Sequence, residues 1–292
     1  MYNCLSKKTK VNDNFKKGEN LKICYIGDAS SPHLRRIADY FNQKGFEISI
    51  ITFHDFTGEA SFPIEIISST LPRSMSYILK FREVREKLKK INPDILHAHF
   101  LTSYGVTASL TGFHPLIIQV WGSDLLEYAE KHMYFKMFEK RVFNMADLLM
   151  VPSLTMKNII KEKYKYQKQI EINPLGVDTS IFKEKKIEDA LLNSRNPGYF
   201  SFRHFENNYR IDIVIKAFVE VNKLIPESIL LLAGKGSMKD EIKRLVETLN
   251  LKHSVKFLGQ IKPEEVNEVL HKSIVSISIP YKDAVGQANL ES

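Results

Sequence analysis

Two acidic residues eight positions apart close the chain, where Asp283 and Glu291 of DAVGQANLES bracket a Gly286-Gln287 pair. Upstream, Arg203 and Arg210 flank one short loop, and Gly234-Lys235-Gly236 stands between an apolar run and a polar segment. Guanidinium groups recognise phosphate oxygens through paired N–H donors. Main-chain N–H groups at a helix start attract anions, and glycine lets backbone approach a ligand or make a tight turn. The chemistry these types suit is the grip of a phosphate-bearing ligand, with carboxylates close by. A plainer reading keeps Asp283 as a helix cap, Glu291 as a surface residue and both arginines in solvent. Gly-Lys-Gly is not a full G-x-G-x-x-G, so the dinucleotide fingerprint is absent.

Histidines form the other candidate set. His97 and His99 alternate on one predicted strand, so both rings face the same side. No third ligand stands at a telling spacing, and no metal is expected. His33 opens a predicted helix and Asp124 lies in WGSD.

These residues are positioned by a strand-helix alternation that begins at residue 21. LKICYIG reads as a buried strand, His33 to Lys44 as a helix and FEISIITF as the next strand. Strands follow at Ile64 to Ile67, Asp94 to His99, PLIIQVW, DLLMVP and QIEIN. The helices between them are Arg73 to Lys90, Ser103 to Thr111, Asp124 to about Asn144, and Ser153 to Tyr166. A polar stretch, KEKKIEDALLNSRN, marks a linker, after which GYFSF, SILLLAG, SVKFLG and SIVSISI are strands separated by helices. Repeated units of this kind favour parallel sheets covered by helices on both faces. The expected domains are residues 21–186 and 187–292, behind a disordered basic tail at 1–20. The second domain has few strands and ends in a barely begun helix, so it is expected to be incomplete.

The chain of 292 residues is long enough for two cores. Its longest apolar runs are strand-sized, which excludes a spanning helix. The first twenty residues hold lysines with no apolar stretch and no cleavage site. Only Cys4 and Cys24 occur, giving no disulfide framework and favouring a cytoplasmic location. A net charge of +8 attracts phosphates. It is spread through an α/β pattern without a compact recognition motif, which argues against nucleic acid. The segment Arg73 to Lys90 joins a core-facing apolar stripe, Ile78, Phe81, Val84 and Leu88, to a basic face that reads first as a solvated surface and second as one that could rest on anionic lipid.

In order, GDASSPHLRRIADYFNQKGFEISIIT, INPDILHAHF, VWGSD, MADLLMVPS, INPLGVDTSIF, RHFENNYRIDIVIKAF, LLLAGKGSMKDEIKRL, VKFLGQI and the closing acidic pair resemble glycosyltransferase family 4. The resemblance spans about residues 21 to 292. It implies the GT-B architecture, two Rossmann-like parallel-sheet domains facing a cleft. It also implies transfer of a sugar from a nucleotide-diphosphate sugar to a glycan, lipid-linked or small-molecule acceptor, retaining anomeric configuration, without a metal or cofactor. In the family, an Arg and a Lys of the first loop hold the diphosphate. Arg203 and Arg210 are the expected holders, and Tyr209 stands where the commonest form has Lys. Gly234 and the Gly286-Gln287 backbone are placed to approach the diphosphate. The first carboxylate of a Glu-x7-Glu element contacts the sugar and the second the ribose, which implies those roles for Asp283 and Glu291, with Asp in place of Glu. His33, His99 and Asp124 are expected to point to the cleft, and Trp121 stands where many relatives carry His. Two other functions fit a chain of this architecture: a noncatalytic module that binds a glycan or lipid acceptor, and a nucleotide-sugar epimerase.

Overall fold

Runs rich in Ile, Val and Leu suit strands that are covered on both faces, and such runs form several central strands of this chain, among them Ile229–Ala233. A computed structural model describes residues 21–129, 133–174, 176–183, 197–284 and 286–292. Its contacts divide the chain into two compact units, Met1–Asn173 and Pro174–Ser292.

The first unit carries β1 (Lys22–Ile26), β2 (Glu47–Thr52), β3 (Ile64–Ile66), β4 (Ile95–His99), β5 (Leu116–Gln119), β6 (Leu148–Val151) and β7 (Ile170–Ile172). They form one seven-stranded sheet in the order β3-β2-β1-β4-β5-β6-β7. All its pairings are parallel. The helices are α1 (Pro32–Gln43), α2 (Arg73–Leu79), α3 (Phe81–Ile91), α4 (Tyr104–Thr111), α5 (Met133–Met145) and α6 (Leu154–Lys163).

Register is held at the amino edge by a repeated device. Asp94, just before β4, accepts the Lys22 N–H of β1 at 2.8 Å, and Asp147, just before β6, accepts the Leu116 N–H of β5 at 2.7 Å. Each carboxylate satisfies the first donor of a neighbouring strand, so a one-residue slip would orphan it. One face of the sheet packs Ile23, Tyr25, Ile48 and Ile50 against Leu34 and Ala38 of α1.

Arg73 to Lys90 was expected as one helix; it is two, parted at Lys80. Near that turn the Tyr77 carbonyl accepts the buried Thr107 hydroxyl at 2.7 Å, which ties the helix end to α4. Asp124 to Asn144 also differs from a single α-helix. It opens with a π-helical turn, Asp124–Tyr128, and α5 begins at Met133, with 130–132 outside the described residues.

The second unit has β8 (Gly198–Ser201), β9 (Ile229–Ala233), β10 (Val255–Gly259) and β11 (Val275–Ser276), with α7 (Ile211–Leu224), α8 (Lys239–Thr248), α9 (Pro263–Leu270) and α10 (Gln287–Glu291). Its parallel sheet runs β10-β9-β8-β11. Leu230 and Leu232 of β9 pack on Ile211, Ile215 and Phe218 of α7 and on Ile242 and Val246 of α8. The opposite face holds Phe200, Ala233 and Val266, with Phe182 packed against them. The segment up to Lys183 therefore lies with the second unit, and the Lys183 carbonyl is 2.9 Å from His271 Nε2. The expected boundary at 186/187, most of the expected linker and the expected tail at 1–20 lie outside the described residues.

Candidate functional site

Strand order reverses once in each sheet, between β1 and β4 in the first unit and between β8 and β11 in the second. Loops leaving the carboxyl ends on either side of such a reversal run in opposite directions and open a crevice, the usual ligand position in open α/β sheets. The residues singled out from sequence gather at these two places.

In the second unit, Arg203 follows β8 and Asp283 follows β11. The Arg203 Nη2 group donates to Asp283 Oδ2 at 2.5 Å, with the two side chains 9% and 26% exposed. Such a guanidinium has lost most of its water and needs this partner. Its Cζ also lies 4.3 Å from the centre of the Tyr209 ring, a cation–π contact. Tyr209 thus supplies a ring face beneath Arg203 where the family's commonest form has a Lys. Next to it, Asn208 is joined to the Asp283 loop. Asn208 Nδ2 donates to the Lys282 carbonyl at 2.9 Å, the Lys282 N–H donates to Asn208 Oδ1 at 3.0 Å, and the Tyr281 N–H donates to the Asn208 carbonyl at 2.7 Å.

Gly234 touches this loop directly. Its φ is +148°, and a Cβ there would lie 2.4 Å from the Arg203 carbonyl oxygen. A Cβ at Gly236 would lie 2.2 Å from the Phe205 carbonyl oxygen. Both glycines let the 234–236 turn lie against the 203–205 backbone, where the Phe205 N–H donates to the Lys235 carbonyl at 2.9 Å. Ser237 adds its N–H and hydroxyl to Glu206 at 2.8 and 2.6 Å. These bonds hold the Glu206 carboxyl below its ordinary range. The expected approach of Gly234 to a ligand is, in this structure, an approach to the chain's own Arg203 loop.

Arg210 is exposed and left-handed, with φ 52° and ψ 41°, as the cap of α7. Gly286 caps α10, and its carbonyl accepts the Asn289 and Leu290 N–H groups. Glu291 is half-buried in the same short helix. The Gln287 side chain lies outside the described residues.

In the first unit, β1 and β4 place Tyr25 beside His97 in register. Ring centres are 5.3 Å apart for Tyr25 and His97, 4.7 Å for His97 and His99, and 5.4 Å for His99 and Trp121. His33 joins from α1, 5.3 Å from Trp121. A continuous ring cluster therefore runs from inside the sheet to its carboxyl edge. Burial pushes the His97 imidazole down to about 3 and drives His99 well below its usual value, helped there by His97 and His33. Burial, then Arg36, lowers His33 as well. These imidazoles stay neutral near pH 7. Among the described residues no group of three or more His, Cys, Asp or Glu could hold a metal.

Asp124 was expected to face a cleft, and it is fully buried instead. Its carboxylate accepts the N–H groups of Leu101 at 2.8 Å, Gly122 at 2.8 Å, Trp121 at 3.0 Å and Leu125 at 3.0 Å. Burial raises its pKa, and those donors oppose the rise. Placed so, Asp124 fixes the loop that presents Trp121. Phe100, at φ 87°, turns the chain sharply after His99 and delivers Leu101 to the same carboxylate.

A third group was not singled out from sequence. His54 Nδ1 lies 2.7 Å from the Tyr104 hydroxyl and 3.8 Å from Asp28 Oδ1. Its members follow β2, open α4 and follow β1. They are distant in the chain and match no spacing motif, so only the sheet topology brings them together.

With the class defined by two parallel Rossmann-like units and their loop sites, comparison with known proteins fixes the family. A sequence profile described as Glycosyl transferase 4-like matches residues 22–153, and one described as Glycosyl transferases group 1 matches residues 182–292. The chain belongs to the family 4-like glycosyltransferases of GT-B architecture. It is 25% identical to the uncharacterised glycosyltransferase YqgM of Bacillus subtilis over 89% of this chain and 70% of that protein. It is 28% identical to the uncharacterised glycosyltransferase MJ1069 of Methanocaldococcus jannaschii over 53% of this chain and 41% of that protein. The chain thus matches 41% to 70% of these relatives' lengths. Among solved structures, sucrose-phosphate synthase from Thermosynechococcus elongatus superposes with a TM-score of 0.76 at 17% identity, covering 93% of this chain and 78% of that one. WaaG, a glycosyltransferase of lipopolysaccharide biosynthesis, gives 0.70 at 12%, covering 92% and 78%.

Two predictions follow from this geometry. Gly234→Ala forces a Cβ onto the Arg203 carbonyl at a disfavoured φ, and urea titration should show the second unit weakened by about 1–3 kcal/mol. His97 binds its proton near pH 3 when folded and near 6.5 when unfolded. Its contribution to stability is complete above pH 6.5 and is lost as pH falls toward 3. Urea titrations at pH 7 and 5 should differ by about 2 kcal/mol on account of this histidine, the loss setting in below pH 6.5. That part of the difference should vanish in His97→Gln.

Proposed function

We propose that this chain transfers a sugar from a nucleotide-diphosphate sugar to a glycan, lipid-linked or small hydroxyl-bearing acceptor, retaining anomeric configuration. The meeting of Arg203 and Asp283 at the strand-order reversal of the second unit carries the reading. Structures of Anabaena Alr3699/HepE with UDP and glucose, and with UDP-glucose, share the fold and support a nucleotide-sugar donor. The reading assigns no metal and no cofactor.

The incoming diphosphate and the Asp283 carboxylate are both anions that suit the Arg203 guanidinium. The diphosphate takes over the Arg203 donors, and Asp283 is released toward the transferred sugar. Exposed Arg210 supplies a second cation, the Gly286-Gln287 backbone and the Gly234 turn border the phosphates, and Glu291 takes the ribose hydroxyls. The acceptor oxygen attacks the anomeric carbon from the face that the diphosphate leaves. The C–O bond to phosphate breaks with its electron pair on the departing oxygen, which receives the acceptor's hydroxyl proton. Catalysis is then mostly stabilisation of the leaving group, the part assigned to Arg203. The carboxyl edge of the first unit is assigned to the acceptor, with neutral His33 and His99 beside Trp121 and with Asp124 as the positioning group.

The acceptor's source bears on one surface. Leu71, Met75 and Leu79 recur every four residues along α2 and its approach, and are 38%, 46% and 53% exposed. Lys80, Lys87 and Lys89 of the neighbouring segment are paired with Glu83, Glu65 and Glu86, whereas Arg73, Arg82 and Lys90 are exposed cations. An apolar stripe edged by cations suits an anionic membrane surface, here assigned to the cytoplasmic side. Among the described residues no helix is long and apolar enough to cross a membrane.

Release of nucleoside diphosphate from a panel of nucleotide sugars, with the product anomer read by NMR, tests the activity. Arg203→Ala should lower turnover by about 10²–10³-fold, and unchanged turnover would remove Arg203 from the assignment. Vesicles containing phosphatidylglycerol should retain the protein at low salt and lose most of it in Met75→Asp/Leu79→Asp. Equal retention of the two proteins would reject the α2 surface.

A further inference from the structure

The Arg203–Asp283 pair joins loops that are 80 positions apart in the chain. It forms only if both loops are held at one distance. Arg203 is fixed at its main chain by the Gly234 turn and at its guanidinium by the Tyr209 ring. Asp283 has no such frame in its own element, because β11 spans only Val275–Ser276 and ends well before it. What meets its loop is Asn208, through three hydrogen bonds to Tyr281 and Lys282.

Two of those bonds use the carboxamide itself. Its Nδ2 donates to the Lys282 carbonyl and its Oδ1 accepts the Lys282 N–H, the pattern of a backbone strand pair. Only a side chain with donor and acceptor at this length makes both bonds. Ala makes neither, Asp keeps only the acceptor, and Gln moves both groups outward by one methylene.

We propose that Asn208 is a positioning residue of the donor site, clasping Lys282 so that the next residue, Asp283, is set against Arg203. The inference rests on the donor-site reading for its effect on turnover and on the loop geometry alone for its effect on structure. Asn208 touches neither Arg203 nor the reacting atoms in this role. It acts through Asp283.

The test uses the 292-residue chain and two NMR probes that need no substrate. The Lys282 amide should exchange about tenfold faster in Asn208→Ala than in the wild type. The Arg203 Nε–H resonance should stand away from its free position in the wild type, because of the Tyr209 ring and Asp283, and move toward it in Asn208→Ala. In Asn208→Asp the Lys282 amide should stay protected while the Arg203 signal still moves. Combining Asn208→Ala with Asp283→Ala should shift the Arg203 signal no further than Asp283→Ala alone, because the clasp acts through that carboxylate. With UDP-glucose or another donor found active, Asn208→Ala should lower kcat by about 10–100-fold and leave KM for the donor within about twofold of the wild type.

Unchanged Lys282 exchange in Asn208→Ala overturns the clasp. Faster exchange with an unmoved Arg203 signal, or additive effects in the double variant, overturns the positioning role. If the wild type turns over no nucleotide sugar, the donor reading fails, and the two resonances still decide the clasp.

Discussion

An almost waterless guanidinium is the fixed point around which the second unit is arranged. Arg203, 9% exposed, keeps little water around its fixed charge, and the sheet brings Asp283 to it from the strand on the other side of the order reversal. Removing the carboxylate leaves the buried guanidinium uncompensated, which costs far more than the pair gains over apolar substitutes. The pairing therefore constrains the loops more than it stabilises the fold.

Much of the local sequence serves that constraint. Gly234 and Gly236 let one turn sit against the main chain of another, Tyr209 offers its ring to the guanidinium, and Asn208 spans to Lys282. The first unit solves a similar problem with the opposite charge. Asp124 is a carboxylate fully withdrawn from water and surrounded by backbone donors, and it shapes the loop carrying Trp121. In both units a buried ionic group organises a loop at a carboxyl edge, while the strands beneath are apolar.

The alternation of strands and helices was legible because buried parallel strands are nearly pure apolar runs, as ILLLA of β9 shows. Arg203 was legible as a candidate because it sits just beyond such a run and His99 because it ends one, whereas Asp283 stood out by its spacing from Glu291 and His33 by its place at a helix start. Other features were not. The break at Lys80 lies beside the bond from the Thr107 hydroxyl to the Tyr77 carbonyl, a contact between positions 30 apart that leaves no periodic trace. WGSD looks like an exposed acidic site in sequence, since nothing there says that its carboxylate will meet the Leu101 N–H. The Asp28–His54–Tyr104 group is invisible in a linear reading because the three residues approach only when β1, β2 and α4 share a sheet edge.

The brevity of β11 has a mechanical consequence. It meets β8 at only two register positions, Val275 with Tyr199 and Ser276 with Phe200, whereas β8 and β9 share four. The acidic side of the ion pair is therefore set by few ladder bonds and the basic side by many. Where the β11 ladder stops, the three hydrogen bonds from Asn208 to Tyr281 and Lys282 continue its work in the manner of a further strand pairing.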